Sequence, residues 1–368
     1  MSEMERRMTR RQMLRMCGGA AAAALLAACG ASGQTMTNTG GTAVSNAAAT
    51  AGPAAAGAAT AVSGAPTAVA KSGLTTGSAE TGSFSGAPDL KGKLSLQQLN
   101  VAFIPAEDAA KTLADNKDLL AYLKQVFGIE VAGAVGTSYS AVIEAQRAKK
   151  VDLAFYGPFS YILAHEEANA QALIQGETKD GQLATYKSLI ITQADSPLAS
   201  LADIKGKTFS FVDPASTSGH LVPSYTLLQK AGLHETDYKP LYAGSHPASY
   251  QAVVNKKVDA GAIASDIFEK GVKEGSIDDK KVKILDTSFD IPGSPIAIRG
   301  DIPPADQDLI LQAFLALNNQ PAGSKLLKIA LTGLGSGAVR LRKGDDHAYD
   351  ELRKIPAAIG IDIKGLVK

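Results

Sequence analysis

The run Ser216-Thr-Ser-Gly219 stands where an apolar strand, Phe209 to Val212, gives way to a helix that begins near Leu221. At a helix N-terminus the first backbone N–H groups lack intrahelical partners and the macrodipole is positive. Hydroxyls placed in such a turn add donors aimed at the same point, and the chemistry that suits them is holding an oxyanion. Pro223 falls in the first helical turn, where a missing N–H costs little. Taken alone, the same four residues also read as an ordinary serine N-cap.

A repeat supplies partners. Residues 141–152 resemble residues 250–259, and their Val-Asp pairs end at Asp152 and Asp259, 107 residues apart. The same offset carries Tyr139 onto His246, which puts a polar ring at the start of an equivalent helix in each half. It also brings Tyr156 and Asp266 to equivalent strand-end turns, within a few positions. Ligands of open α/β sheets sit outside the carboxyl ends of the strands, where all of these residues fall. Two similar lobes facing one another make a cleft.

The elements that must position these residues follow from periodicity. A strand from Leu99 to Ile104, an amphipathic helix near Ala109 to Phe127, a strand from Ile129 to Val135, a helix from Tyr139 to Ala148 and a strand from Val151 to Tyr156 make a first unit. The second runs strand Thr208 to Val212, helix Leu221 to Ala231, a strand at Tyr242, helix Ala248 to Val254 and strand Ala260 to Ala264. This alternation predicts an α/β fold with largely parallel sheets. The expected lobes cover residues 91–194 and 195–290. The chain is expected to cross between them near Thr192 to Leu198 and Ser288 to Pro295, and residues 291–368 to return to the first lobe with its last helices.

The amino-terminal quarter belongs to neither lobe. Arg6, Arg7, Arg10, Arg11 and Arg15 precede an apolar run from Met16 to Ala28, too short for a permanent span, so residues 1–28 are expected to be an export signal. Leu26-Ala-Ala-Cys29 resembles the bacterial lipobox, which implies lipid on Cys29. Thr9 to Arg15 resembles a twin-arginine signal, with Met13 where that pattern often has Phe; Sec export is the alternative. Residues 29–90, almost all Ala, Gly, Thr, Ser and Pro, are expected to be a disordered tether. Without the signal, the 37 basic and 36 acidic residues become 32 and 34. That balance argues against a nucleic-acid partner. With Cys17 in the signal and Cys29 lipidated, the folded part has no cysteine for a disulfide or a thiolate metal site.

Val151 to Tyr161, Ser216 to Pro223, Gly244-Ser-His246 and Val258 to Asp266 together resemble the phosphate/phosphite/phosphonate substrate-binding proteins of ABC importers, over about Leu99 to Ile355. The resemblance implies a type II periplasmic-binding-protein fold, two similar α/β lobes that close on a phosphorus oxyanion and deliver it to a permease and its ATPase. It implies ligand contacts at Tyr139, Tyr156, Ser216, Thr217, Ser218, His246 and Asp266. It also implies that Gly219 lets backbone approach the anion. His220 stands where such proteins often carry Tyr, and is expected either to touch ligand or to line the rim. A monomer at the outer face of the cytoplasmic membrane or in the periplasm, held by lipid and needing neither cofactor nor metal, is the expected state.

His246, protonated or through an N–H, would add a donor to the cradle. Asp266 is the odd member, because a carboxylate beside an anion is repelled unless it accepts a hydrogen bond from it. A phosphonate or phosphite monoanion has a P–OH to give, and sulfate does not. Two other classes compete. A phosphatase or serine hydrolase would use Ser218 with His246, but the sequence has no Gly-x-Ser-x-Gly elbow and no evident orienting acid. A ligand-sensing module would report to a separate signalling protein.

Overall fold

The computed structural model describes residues 73–78, 84–321 and 323–366. The expected signal, Cys29 and most of the expected tether lie outside the described residues. The chain runs β1 (Leu74–Ser78), β2 (Gln98–Phe103), α1 (Ala109–Phe127), β3 (Glu130–Gly136), α2 (Tyr139–Arg147), β4 (Leu153–Phe155), α3 (Pro158–Ala168) and β5 (Ala170–Thr178). It crosses through β6 (Thr185–Tyr186) to β7 (Ser188–Gln193), β8 (Thr208–Phe211), α4 (Val222–Ala231), β9 (Lys239–Tyr242), α5 (His246–Val254), β10 (Ala260–Ala264), α6 (Ser265–Glu274) and β11 (Val282–Thr287). It returns through β12 (Ile291–Pro292) to β13 (Ile296–Arg299), α7 (Pro304–Ala316), α8 (Lys325–Leu331), β14 (Ala338–Lys343), α9 (Asp350–Arg353) and α10 (Ile355–Ala358).

Local chemistry sets these boundaries. Asp108 caps α1 by accepting the Lys111 N–H at 2.8 Å, and Gly128, at φ 69°, turns the chain out of it. Ser138 and Ser245 cap α2 and α5 in the same way, accepting the N–H three residues on at 3.1 and 3.3 Å. The repeat extends to the backbone: Lys149 and Lys256 both take positive φ, 59° and 54°. Asp152 and Asp259 each accept a backbone N–H, from Asn100 and Thr208 respectively, at 2.8 Å. The Val-Asp pair visible in the sequence is therefore a strand-positioning device in both lobes.

Among the described residues the first lobe is built on a seven-stranded open sheet in the order β1-β3-β2-β4-β13-β5-β14. The second is built on five strands, β11-β7-β10-β8-β9. Strands β3, β2 and β4 are parallel, as are β10, β8 and β9, but the remaining pairings are antiparallel. The expectation of largely parallel sheets is thus corrected to two mixed sheets. The reason lies in the crossings. Ser188 of β7 pairs with Ala264 at the end of β10, and Ile296 of β13 with Phe155 at the end of β4. A strand arriving from the other lobe enters at the carboxyl ends of the parallel strands and has to run back against them.

Two boundaries also shift. All of β7 lies in the second sheet, so the first crossing is at β6, before the expected Thr192 to Leu198 and before residue 195. There β6 pairs antiparallel with β12, Tyr186 opposite Ile291 and Thr185 opposite Pro292. Residues 74–78, placed in the tether by composition, instead form β1, in antiparallel register with β3 from Leu74 opposite Gly136 to Ser78 opposite Ala132. Backbone pairing needs no apolar side chains, which is why composition missed it. Phe84 adds a contact, its ring edge-on to Tyr122 at 5.8 Å.

Each sheet is covered on both faces. Leu99, Leu119, Leu123, Phe127 and Phe314 pack on one side of the first sheet, and Ile143, Phe159, Tyr161 and Tyr349 on the other. Phe209, Phe211 and Leu227 cover one side of the second, and Ile191, Tyr250, Val253 and Ile263 the other. At the edge of the first core, Arg299 Nη2 donates to Asp152 Oδ1 at 2.9 Å, while the other Asp152 oxygen serves Asn100. Arg299→Leu leaves that buried carboxylate without its cation and is expected to cost about 3 kcal/mol. The urea midpoint of the variant against the parent measures it.

Candidate functional site

A cavity of about 320 Å³ lies between the lobes at the carboxyl ends of the parallel strands. Tyr139, Tyr156, Ser216, Thr217, Ser218, His246 and Asp266 all line it, together with Tyr186 and Ser294. The starts of α2, α3, α5 and α6 converge there with the turn that precedes α4. That turn is π-helical over Thr217–Leu221, with the Val222 N–H bonded to the Thr217 carbonyl. Wide turns of this kind are frequent at functional sites because they loosen the donor pattern of a helix.

The cradle is held from both lobes. Ser216 Oγ accepts the Gly219 N–H at 3.1 Å, which leaves its own O–H to donate. Thr217 Oγ1 accepts the Phe159 N–H at 2.7 Å, from the first turn of α3 in the opposite lobe, and so likewise keeps its O–H to donate, with the Tyr186 hydroxyl within its reach. The Ser218 carbonyl accepts from Ser188 Oγ at 2.6 Å. Asp213 accepts the Ala215 N–H at 2.8 Å and, across the cleft, the Tyr139 N–H at 3.2 Å. Burial raises the Asp213 carboxyl, and those two N–H donors oppose the shift.

The phenols are firmly protonated. Burial, then the Asp213 charge, pushes Tyr139 well above its ordinary value, with the Ser216 hydroxyl opposing. Burial, then Asp266, raises Tyr186 strongly, against the hydroxyls of Ser218, Thr217 and Ser294. Both can therefore donate to an anion. Tyr156 is placed differently from expectation: its ring lines the cavity, but its hydroxyl donates to Gln146 Oε1 at 3.0 Å.

His246 is buried, and its Nδ1 accepts the Ala264 N–H at 3.1 Å. The proton of the neutral ring is thereby on Nε2, which makes that nitrogen a donor. Burial pushes its pKa down to about 3. Of the two forms weighed for His246, the neutral N–H donor is the one the surroundings allow. A hydrolytic base would need the reverse arrangement, with Nδ1–H donating to an orienting carboxylate. Asp266 occupies the first turn of α6, half-buried at the cavity wall. Its carboxylate accepts the Ile267 N–H at 2.9 Å, and burial raises its pKa to about 6.

Two expected roles change. Gly219 does not line the cavity; a Cβ there would meet Val212 at 2.4 Å, so the glycine lets the turn pack on the end of β8. His220 faces away from the cavity. Its Nδ1 donates to the Pro214 carbonyl at 2.8 Å, its Nε2 lies 3.1 Å from the Tyr242 hydroxyl, and its ring packs edge-on to Phe211 at 4.8 Å. It props the turn from behind.

Sequence reasoning missed Tyr186, Ser294 and Asp213. Tyr186 sits on β6, too short to leave a periodic signal, and Ser294 follows β12 in the return crossing. The lips of the cleft are joined by charge: Lys270 bonds Glu107 at 2.8 Å, and Lys111 approaches Glu274 at 3.6 Å. The backbone N–H of His246 also donates to the Ala106 carbonyl at 3.0 Å. Among the described residues no group of His, Cys, Asp and Glu side chains is arranged to hold a metal ion, and no helix is long and apolar enough to cross a membrane.

Two mixed α/β lobes with open sheets, joined by a paired crossing and enclosing a donor-lined cavity, define the type II periplasmic-binding-protein class. Residues 101–347 match the family model of the ABC transporter phosphonate periplasmic substrate-binding proteins, and the chain belongs to that family. It is 30% identical over 234 residues to the phosphonates-binding periplasmic protein of Escherichia coli, covering 62% of this chain and 69% of that one. It is 30% identical over 228 residues to the phosphate-import protein of Mycolicibacterium smegmatis, covering 59% and 71%. Its fold is similar to a binding-protein component of an ABC phosphonate transporter from Pseudomonas aeruginosa, with a TM-score of 0.64 and 25% identity over 72% of this chain and 86% of that one. The chain is thus a solute-binding protein of the ABC-importer family for phosphorus oxyanions, a non-catalytic transport class that works outside the cytoplasm.

The depressed His246 pKa has a stability consequence. The unfolded chain takes up a proton at this residue near pH 6.5, whereas the folded chain does so only near pH 3. Between those values the unfolded state binds more protons, so stability falls as pH falls. His246→Gln removes this contribution. The loss of unfolding free energy between pH 7 and pH 5 is expected to be smaller in the variant by about 2 kcal/mol, read from urea titrations at the two pH values.

Proposed function

We propose that the protein captures a phosphorus oxyanion carrying a P–OH between its lobes and delivers it to an ABC permease. In this reading the hydroxyls of Tyr139, Tyr186, Ser216, Thr217 and Ser218 and the Nε2–H of His246 donate to the phosphoryl oxygens. The Tyr156 ring closes the wall behind them. Asp266 accepts the one proton the ligand keeps, which converts like-charge repulsion into a charge-assisted hydrogen bond. The observation that carries this reading is the company Asp266 keeps: of the two carboxylates lining the cavity, Glu107 is paired with Lys270, whereas Asp266 stands among neutral donors with no cation bonded to it among the described residues.

Closure follows the same chemistry. With the lobes apart, Thr217 Oγ1 and Asp213 lose their bonds to Phe159 and Tyr139, and the donors face water. Bringing the lobes together on an anion excludes that water and restores the cross-cleft bonds, a hinge closure about β6 and β12. Several charge-assisted bonds in a desolvated cleft support micromolar or tighter binding, about −8 kcal/mol or better. The lipobox-like Leu26 to Cys29 supports a lipid anchor on Cys29, with residues 1–28 removed.

Calorimetry with phosphite, phosphate and a simple alkylphosphonate against sulfate tests the reading. The parent is expected to bind phosphorus ligands and to bind sulfate at least about a hundredfold more weakly, since an unmatched carboxylate then faces the anion. Asp266→Asn is expected to narrow that ratio by about tenfold; an unchanged ratio removes Asp266 from selectivity, and no response to any phosphorus ligand refutes the function. For the anchor, Cys29→Ser is expected to move the protein from the membrane fraction to the soluble extracytoplasmic fraction, followed by immunoblot.

A further inference from the structure

The cavity has two chemically different ends, one on each face of the first sheet. Tyr139, Tyr156 and Tyr186 belong to the packing layer on one side, whereas Phe103, Phe155, Leu331 and Leu334 belong to the layer on the other. Adjacent residues of one strand point to opposite faces, so Phe155 and Tyr156, both lining the cavity at the end of β4, mark the division. On the apolar side Phe103 and Phe155 are register partners on parallel strands, their rings stacked at 4.6 Å and 30°. Leu331 and Leu334 line the cavity beside them, in the segment that ends α8 and follows it.

Volume and charge sharpen the point. At about 30 Å³ per water, 320 Å³ holds roughly ten waters, far more than a five-atom oxyanion displaces. Besides Asp266, the charged side chains lining the cavity are Glu107 and Lys270, and they are spent on each other, with Lys270 Nζ at 2.8 and 3.1 Å from the two Glu107 oxygens and 3.7 Å from Asp115; the neutral Thr112 and Asn116 of α1 also line it, with Asn116 Nδ2 donating to the Thr112 carbonyl at 2.9 Å. Neither charge is left over for an ammonium or a second carboxylate on the ligand.

We propose that the preferred ligands are organophosphonates whose phosphorus bears an uncharged apolar substituent of aryl or branched-alkyl size, seated against Phe103, Phe155, Leu331 and Leu334. This rests on the phosphorus-oxyanion reading of the same cavity. The substituent displaces water from an apolar wall and adds affinity in proportion to the area it covers. An aminoalkyl chain of similar length brings a charge that has to be desolvated without a free partner.

The test is calorimetry on the purified full-length protein with phenylphosphonate, 2-aminoethylphosphonate and phosphite. Phenylphosphonate is expected to bind about tenfold or more tighter than either of the others. Phe155→Ala is expected to erase most of that advantage while leaving phosphite affinity within about twofold. If Phe155→Ala does not fold, Leu331→Ala, at a half-buried position on the same wall, carries the same comparison. Leu331→Glu is expected to reverse the order in favour of 2-aminoethylphosphonate. Phosphite or 2-aminoethylphosphonate binding as tightly as phenylphosphonate overturns this inference and leaves the oxyanion reading standing, whereas no binding of any of the three overturns both.

Discussion

The constraint on which the structure depends is that backbone N–H groups at helix starts cannot be left dry and unpaired. The first turns of α2, α3, α5 and α6 and the turn before α4 all end at one cavity, on two lobes. Serines 138 and 245 satisfy part of the demand within each lobe, and Asp213 and Thr217 satisfy another part across the cleft. The fold thus gathers partial positive charge from both halves of the chain at one point, and an anion is the partner that suits all of it. The tyrosines and His246 add hydrogen-bond donors without adding formal charge, because burial keeps the phenols protonated and the imidazole neutral.

In the proposed reading Asp266 sets the limit on this attraction. A cavity made only of donors would take any oxyanion of the right size, and a carboxylate that no cation neutralises would make the site sensitive to the ligand's protonation. That one group sits in the first turn of α6, where the helix dipole favours its charge, yet burial raises its pKa to about 6. The helix start favours the ionised form and burial the neutral one, and burial is the larger influence.

Much of this was legible in the sequence, and the reason is repetition. The 107-residue offset located Tyr139 and His246 together because both lobes reuse one strand-turn-helix plan, down to matched Ser caps, left-handed lysines and strand-tying aspartates. What could not be read falls where the plan is broken. Tyr186 lies on a two-residue strand between lobes, β7 reverses direction because it enters from the hinge, and β1 is held by backbone bonds that composition does not encode. The turn that carries Gly219 and His220 is legible in the sequence, but not that His220 leaves it away from the cavity, since a sequence records proximity along the chain and not which way a side chain points. The hydroxyl of Tyr156 was lost to Gln146 for the same reason.

The five-residue ladder of β1 on β3 also has a mechanical meaning. The ladder holds an edge strand of the first lobe's sheet, whereas β6 and β12, where the chain crosses, pair with one another outside that sheet. A pull along β1 loads its backbone bonds together, in shear, rather than one after another. That edge of the first lobe is built to bear tension without passing it to the crossing.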